Sequence, residues 1–330
     1  MSVAAAKEEM MQRIGLMALA VFLSASAITV ANAQEKYPTK PVEVIVPFVA
    51  GASTDSGTRV MAQALEAHWG VPVKVINKPG GNTVPAVTEV MAAKPDGTTI
   101  LADNVASSAM LDTVVKNLPY KVTDRTFIAK TAYTPMMFIV HTDSPFKTLK
   151  DASEGLKKDT ESFTWTSLGG VGAQDMVFRQ FAAFNGVDIK KPRAIALKGG
   201  AEAVTMTAGG HVTMGTGTFS AIAAPLSAKK LRVLAVAGPE RWPQIPDIPT
   251  TTEVGAGDVQ TLFWIGVSGP PKLPAHIVAA WNTALKAVLE DPAVKEKMLN
   301  AGLLVSYEDD KAMLARVERD RKRTQDLYAH

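Results

Sequence analysis

Apolar positions follow two alternating rhythms along this chain. Short runs rich in β-branched residues at 42–48, 73–76, 98–101, 136–140, 163–166, 193–197 and 231–236 predict strands. Between them, residues 56–69, 84–93, 149–157, 175–185 and 201–208 carry apolar residues at helical spacing. Loops are marked by Lys78-Pro79-Gly80-Gly81-Asn82, Lys94-Pro95-Asp96-Gly97 and Lys198-Gly199-Gly200, and residues 239–249 form a Pro-rich strap with rigid turns. Beyond it the pattern predicts a strand over 262–268 and helices over 274–290, 292–301 and 308–329. Pro274 and Pro292 suit a first helical turn, where a missing N–H costs nothing. Strands alternating with helices imply an α/β fold, with parallel sheets whose ligand crevices lie beyond the carboxyl ends of the strands.

The N-terminal pattern differs. Lys7 and Arg13 precede an apolar run over 14–30, and Ala31-Asn32-Ala33 supplies small residues ahead of Gln34. Residues 1–33 therefore read as an export leader cleaved after Ala33, which implies a periplasmic protein. Glu8 and Glu9 are unusual in such a leader, so Met10 and Met11 stand beside Met1 as candidate starts. A single membrane anchor is the competing reading; Ser24, Ser26 and Thr29 weaken the run for that purpose.

Composition narrows the class further. With 47% hydrophobic and 20% charged residues and a net charge of +3, the chain is an ordinary globular one. The basic stretch Arg319-Asp320-Arg321-Lys322-Arg323 is interrupted by Asp320 and followed by Asp326, so it reads as a solvated helix face and not as a nucleic-acid patch. There is no cysteine, so export brings neither disulfides nor a lipidated N-terminal Cys. The expectation is a soluble monomer.

Candidate chemistry sits where strands run into helices. The first strand enters Val49-Ala50-Gly51-Ala52-Ser53-Thr54-Asp55, a loop of small residues that leaves backbone bare to a ligand. The first N–H groups of a helix lack partners and carry the positive end of its dipole, so this junction suits an anion without any Lys or Arg. A second junction, Phe163-Thr164-Trp165-Thr166-Ser167 into Leu168-Gly169-Gly170-Val171-Gly172-Ala173-Gln174-Asp175, repeats the chemistry. Two such junctions facing across a cleft would grip both ends of a small dianion. Plain helix capping explains Ser53, Thr54 and Asp55 equally. Asp55 is a poor partner for a carboxylate; it orders the loop or a water, or receives an ammonium group if the ligand is an amino acid. Asn104, Ser107 and Ser108 follow the third strand and either reach the same edge or form a polar turn. Phe48, Trp165, Phe219 and Trp264 are wall or core.

Catalytic readings find little. The five histidines are scattered, no G-x-S-x-G elbow occurs, and Asp175 stands where a dinucleotide fingerprint beginning at Gly170 needs its third glycine. Neither metal nor cofactor is expected.

Nine segments in order resemble one known family, the periplasmic solute-binding receptors of tripartite tricarboxylate transporters, the Bug-type group. They are Tyr37-Pro38-Thr39-Lys40-Pro41, Val46-Pro47-Phe48 with Gly51 and Ser53-Thr54-Asp55, Asn77-Lys78-Pro79-Gly80-Gly81-Asn82, Pro95-Asp96-Gly97, Ser144-Pro145-Phe146-Lys147-Thr148-Leu149, Lys198-Gly199-Gly200, Gly209-Gly210-His211-Val212, Leu231-Arg232-Val233-Leu234-Ala235-Val236 and Pro246-Asp247-Ile248-Pro249-Thr250. They cover residues 37–302. The resemblance implies a type II periplasmic binding protein, with one α/β lobe from residues 34–135 plus 260–330 and another from 136–259. It also implies a small organic carboxylate held in the interlobe cleft and delivered to the large and small membrane subunits of a permease. The candidate ligand residues are then Phe48, Ala50, Gly51, Ala52, Ser53, Asp55, Asn104, Ser107, Ser167, Gly170, Gly172, Ala173, Thr216 and Phe219.

The chain departs from the family pattern at three places. Gly51-Ala52 stands where two glycines are common, and Ala173 with Asp175 or Met176 stands where relatives carry Ser or Thr and then His. Met214-Gly215-Thr216-Gly217-Thr218-Phe219 stands where many place Asp or Asn. These changes imply a smaller, more apolar pocket or a different ligand class. Aliphatic dicarboxylates, aromatic acids and acidic amino acids all remain open as ligands. Two other functions stay open at this point: an exported α/β hydrolase using Asp55 or Asp175 as base, and a sensor that hands its bound form to a membrane kinase.

Overall fold

Strand β1 (Val42–Val46) is buried at every position but one, as a central parallel strand must be. It lies between β2 (Val73–Asn77) and β3 (Thr99–Asn104), parallel to both. The computed structural model describes residues 36–170, 172–197 and 199–329; the leader and its cleavage site lie outside the described residues. Helix α1 (Ser53–Trp69) buries Met61, Ala62 and Leu65. Gly57 lets it lie close, since a Cβ there would come within 2.5 Å of both Ile265 and Leu303 side chains.

The sheet continues through β9 (Leu262–Gly269), β4 (Thr126–His141) and β10 (Leu304–Glu308), in the order β10-β4-β9-β3-β1-β2. β4 is long and changes partners along its length. Residues Thr126 to Pro135 pair with β9, whereas Met136 to His141 pair with β8 (Leu231–Ala237), and Met137 to Ile139 also with β7 (Gly215–Gly217). Strands β5 (Thr164–Ser167) and β6 (Arg193–Ala196) form a parallel pair, linked to the β7 region by a bridge between Trp165 and Met214.

The remaining helices are α2 (Val84–Ala92), the short α3 (Leu111–Val114) after a wide π-helical turn over Ala106–Met110, α4 (Leu149–Lys158), α5 (Ala173–Phe184), α6 (Gly200–Ala208), α7 (Phe219–Ser227), α8 (Ala275–Glu290), α9 (Pro292–Asn300) and α10 (Asp310–Tyr328). One core cluster runs from Val105, Met110 and Phe127 through Phe138, Phe178, Phe181 and Met214 to Met313 and Val317 of α10. Residues 38–330 form one compact unit.

The alternation expected from the sequence is present, but the large sheet is mixed and not parallel as expected, since β4 runs antiparallel to β7, β8, β9 and β10, and β3 antiparallel to β9. β7 is Gly-Thr-Gly, without the β-branched run that marks a strand; Gly215 and Gly217 are needed there because Thr207, Ile222 and Val204 press against the strand. α7 contains Pro225, which hid its helical pattern. Glu308, expected to open the last helix, ends β10 instead, and Asp309 caps α10 by accepting from Ala312 N. The basic stretch 319–323 is not simply solvated. Arg321 binds Asp112, Arg323 donates to the Asp258 carbonyl at 3.0 Å, and Asp320 accepts from Trp264 Nε1 at 2.8 Å. Among the described residues no helix is long and apolar enough to cross a membrane.

Candidate functional site

The first junction is organised by its own carboxylate. Gly51 takes a positive φ of 82° and its N–H donates to Asp55 Oδ2 at 2.9 Å. Asn77 Nδ2 donates to Asp55 Oδ1 at 2.8 Å and to the Phe48 carbonyl at 3.0 Å, and Arg59 Nε reaches both carboxylate oxygens. Burial pulls the Asp55 pKa up, but the hydrogen bonds from Arg59, Gly51 and Asn77 and the Arg59 charge outweigh it and hold it below the usual value. Ala52 donates to the Val49 carbonyl at 3.2 Å. The Gly51 and Ala52 amides, both candidates for ligand, are therefore spent inside the loop. What stays open is the start of α1, because its N-cap is Ala52 and gives no side-chain cap.

Facing it is the start of α7, at the end of the 214–219 segment that supplied the candidates Thr216 and Phe219. Ser53 Oγ shares hydrogen bonds with Thr218 Oγ1 at 3.2 Å and Ser220 Oγ at 2.9 Å, and Thr218 and Ser220 share one at 3.2 Å. Thr218 is the N-cap of α7 and makes no side-chain cap bond to it. Gly302, just before β10, packs on Ser220 so closely that a Cβ would come within 2.8 Å of the Ser220 nitrogen. The starts of the two helices are thus joined by hydrogen bonds between their hydroxyls. Their like partial charges make the gap favourable for a negative group.

The second junction is arranged differently from expectation. Asp175, fully buried, accepts from Ser167 Oγ at 2.5 Å, Leu168 N at 2.8 Å and Gly170 N at 3.1 Å. The chain's own carboxylate fills this Gly-rich cradle. Burial nonetheless wins over these bonds and pushes the Asp175 pKa up. The Gly170 carbonyl accepts from Tyr328 OH at 2.5 Å, so the candidates Ser167 and Gly170 are both tied into the loop by hydrogen bonds. The free donors here are at the start of α5, whose N-cap Gly172 has φ 150° and whose first residue, Ala173, is buried. Gln174 brings this terminus beside that of α6, since a Cβ on Gly200 would lie 2.8 Å from its Nε2. By contrast, α4, α9 and α10 are capped by Thr148, Asp291 and Asp309 side chains.

The candidates Asn104 and Ser107 are fully buried, beneath the start of α1. Asn104 Nδ2 donates to Thr54 Oγ1 at 3.1 Å, Ser107 Oγ donates to Asp103 Oδ1 at 2.6 Å, and Ser108 Oγ also donates to Asp103. Arg125 lies 3.4 Å from the second Asp103 oxygen, and nearby burial pushes the Tyr120 hydroxyl up to about 12. This network holds Thr54, hence the start of α1, in place.

Among the other candidates, Ala50 is exposed and Phe48 half-buried against the core. Thr216 is buried opposite Phe138, its hydroxyl without a partner among the described residues. Phe219 packs on Trp242 with ring centroids 5.6 Å apart. Trp165 stacks on Phe178 at 4.2 Å and Trp264 is buried, so both are core. Thr218, Ser220 and Tyr328 were missed. A Thr ahead of an apolar helical run was the available signal for Thr218, obscured by Pro225. No group of His, Asp or Glu able to hold a metal occurs among the described residues.

Comparison with known proteins places this geometry. The model of the tripartite tricarboxylate transporter family receptor matches residues 58–328. A curated relative, the UPF0065 protein in the TAR-I ttuE-ttuC' intergenic region of Agrobacterium vitis, is 28% identical over 310 residues, covering 91% of this chain and 88% of that protein. The solved periplasmic binding protein BugD is 27% identical with a TM-score of 0.78, covering 89% of this chain and 98% of that one. An R. palustris protein solved with adipate, Rpa4515, shares the fold at a TM-score of 0.81 and 24% identity, covering 89% and 98%. These neighbours are of the type II periplasmic binding-protein fold, and family and neighbours are solute-binding receptors, not enzymes.

Proposed function

The chain belongs to the tripartite tricarboxylate transporter receptor family, and from that premise we propose that it binds a small organic carboxylate between two lobes and delivers it to the membrane subunits of a permease. The lobes in this reading are residues 34–135 plus 260–330 and residues 136–259. The partner change within β4 between Pro135 and Met136 supports that division.

The observation that carries the reading is the meeting of the α1 and α7 N-termini around Ser53, Thr218 and Ser220. A carboxylate there would accept from hydroxyls and helical N–H groups of both lobes, and only a ligand that touches both can shift the open and closed populations. The free start of α5 at Gly172 and Ala173 suits a second carboxylate. Adipate, held by Rpa4515, is a dicarboxylate of this kind. Asp55 and Asp175 are both committed to loop hydrogen bonds, so neither has the freedom of a catalytic base.

Export with cleavage after Ala33 belongs to the same reading; mass analysis of protein recovered from the periplasm would then begin at Gln34. The function itself is tested by thermal shift against a panel of mono- and dicarboxylates, amino acids and sugars. A ligand at a hundred times its Kd adds about 2.7 kcal/mol, or about 4 °C for a chain of this size. A panel in which carboxylates are flat while amines or sugars respond would overturn the proposal.

A further inference from the structure

One flank of the β5–β6 pair carries a basin that borders the second junction, with Ser167, Gly169 and Gly170 on its rim. Among the described residues β6 has no strand on its outer side. Against this edge lies a cavity of about 960 Å³. Trp165 and Ala194 line it from the two strands, Asp175 and Arg179 from α5, and Tyr328 and Ala329 from the end of the chain. Lys190, Lys191 and Arg193 line it too, all three exposed.

Its charge is unbalanced. Arg59, Arg125, Arg241, Arg316 and Arg321 each meet a carboxylate. Among the described residues, Arg179, Lys190, Lys191 and Arg193 form no ion pair. The guanidinium of Arg179 sits over the Tyr328 ring, 4.1 Å from its centroid, and its Nε has no hydrogen-bond partner among the described residues. Two carboxylates oppose the four cations. Asp175 is hydrogen-bonded by Ser167, Leu168 and Gly170 and also feels the Arg179 charge, and Glu161 is exposed. Three cations within four residues repel one another, and the concave wall concentrates their field.

We propose that this basin is a second anion-binding site, taking a compact, multiply charged anion of the phosphate or polycarboxylate class. The cations supply charge, and the tyrosine ring parks the arginine until the anion arrives. Tyr328 and Ala329 come from α10, whereas every other lining residue lies between 161 and 194. Under the two-lobe reading of the preceding subsection, on which this step rests, the basin is complete only when the chain end lies against the loop at Gly170. Cleft ligand and basin anion then favour the same arrangement and must tighten each other by the same factor.

The test is calorimetric titration of the full chain with inorganic pyrophosphate, which is not a carboxylate. Saturable binding is expected, weakened at least tenfold in the triple variant Lys190→Gln, Lys191→Gln, Arg193→Gln, whose exposed positions leave the melting temperature unchanged. A control triple on α4, Lys150→Gln, Lys157→Gln, Lys158→Gln, removes the same charge elsewhere and should bind like the parent. Absence of saturable binding, or equal loss in both triples, overturns the site. A cleft carboxylate found by thermal shift should tighten pyrophosphate binding; unchanged affinity overturns the coupling. A flat carboxylate panel would sink the cleft reading alone, since the pyrophosphate comparison does not depend on it.

Discussion

Replacing Asp55 by Asn tests whether the first junction is held by a charge or merely by shape. The substitution keeps the volume but turns one acceptor oxygen into a donor facing donors, because Gly51 N, Asn77 Nδ2 and Arg59 Nε all point at the carboxylate. Hydrogen bonds to a charged group contribute about 1.5–3 kcal/mol each when buried. The full sum does not apply. The Arg59 side chain is half exposed, so its share falls towards the surface value of about 0–1 kcal/mol. Gly51 lies in an exposed loop where water can replace Asp55, and Asn77 Nδ2 keeps the Phe48 carbonyl. A net loss of about 2 kcal/mol remains, or about 3 °C in melting temperature. The pH dependence is the sharper measurement. The folded pKa of Asp55 lies below its unfolded value of 3.8, so its contribution is fully present above that value and is lost as pH falls through the folded pKa. Urea denaturation of parent and Asp55→Asn should show a constant gap from pH 7 down to about 5 that closes in acid. A gap that persists unchanged to pH 3, or none at neutral pH, would refute the account.

Asp175→Asn should behave with the opposite sign. The folded Asp175 pKa is raised by burial, so its contribution is complete below the unfolded value and is lost as pH rises through the folded one. The stability gap to the parent should shrink from pH 4 towards neutrality, and a gap that widens would mean that the loop amides outweigh burial. Gly302→Leu places a side chain against Ser220 at a φ of 76°, costing roughly 1–2 kcal/mol in backbone strain. Because Ser220 packs on this turn, carboxylate affinity by calorimetry should fall roughly tenfold or more in a still folded protein; unchanged affinity removes this contact from closure. Tyr328→Phe deletes one hydrogen bond to the Gly170 carbonyl and should lower stability by about 1 kcal/mol; a melting curve identical to the parent's would show the bond contributes nothing. Ser53→Ala and Ser220→Ala should weaken the same carboxylate without altering the melting temperature of the free protein by more than about 2–4 °C, and unaltered affinity in both would take the hydroxyl cluster out of the site.

Periodicity made the architecture legible because β-branched runs and helical spacing are local signals. Strands β1 to β3, β5, β6, β8 and β9 were visible in that way, but β4 only over residues 136–140; its first part, 126–135, and the whole of β10 were not predicted. β7 and α7 were not, because Gly215, Gly217 and Pro225 are dictated by close packing against Thr207, Val204 and Ile222, contacts between residues that only the fold brings together. The site was legible in the same proportion. Small residues at 49–53 and 169–173 announced helix starts open to an anion, but which amides remain free depends on where Asp55 and Asp175 turn. Asn104 and Ser107 read as an edge because polarity suggests exposure; Asp103 and Arg125 supply the buried partners that make their burial possible.

The two carboxylates explain why the junctions are not equivalent halves of one clamp. Each is the third residue of its helix and folds back on the loop before it, Asp55 onto Gly51 and Asp175 onto Leu168 and Gly170. At the first junction Arg59 offsets the charge and the carboxylate stays ionised, which fixes the loop while leaving the start of α1 and the Ser53 hydroxyl to face α7. At the second, burial opposes ionisation, and Tyr328 takes the loop carbonyl that would otherwise turn to solvent. The first loop therefore presents donors at a fixed place, whereas the second is tied to the last turn of α10. A carboxylate entering between α1 and α7 gains hydroxyls and two helix dipoles without ordering any long side chain. The position of the second loop, and with it the start of α5, depends on whether Tyr328 keeps hold of Gly170. On the proposed carboxylate reading, ligand length would be selected by how far that tether lets α5 approach. For this reason a Tyr328→Phe variant should change the ranking of short against long dicarboxylates in the thermal-shift panel, and an unchanged ranking would place the selection elsewhere.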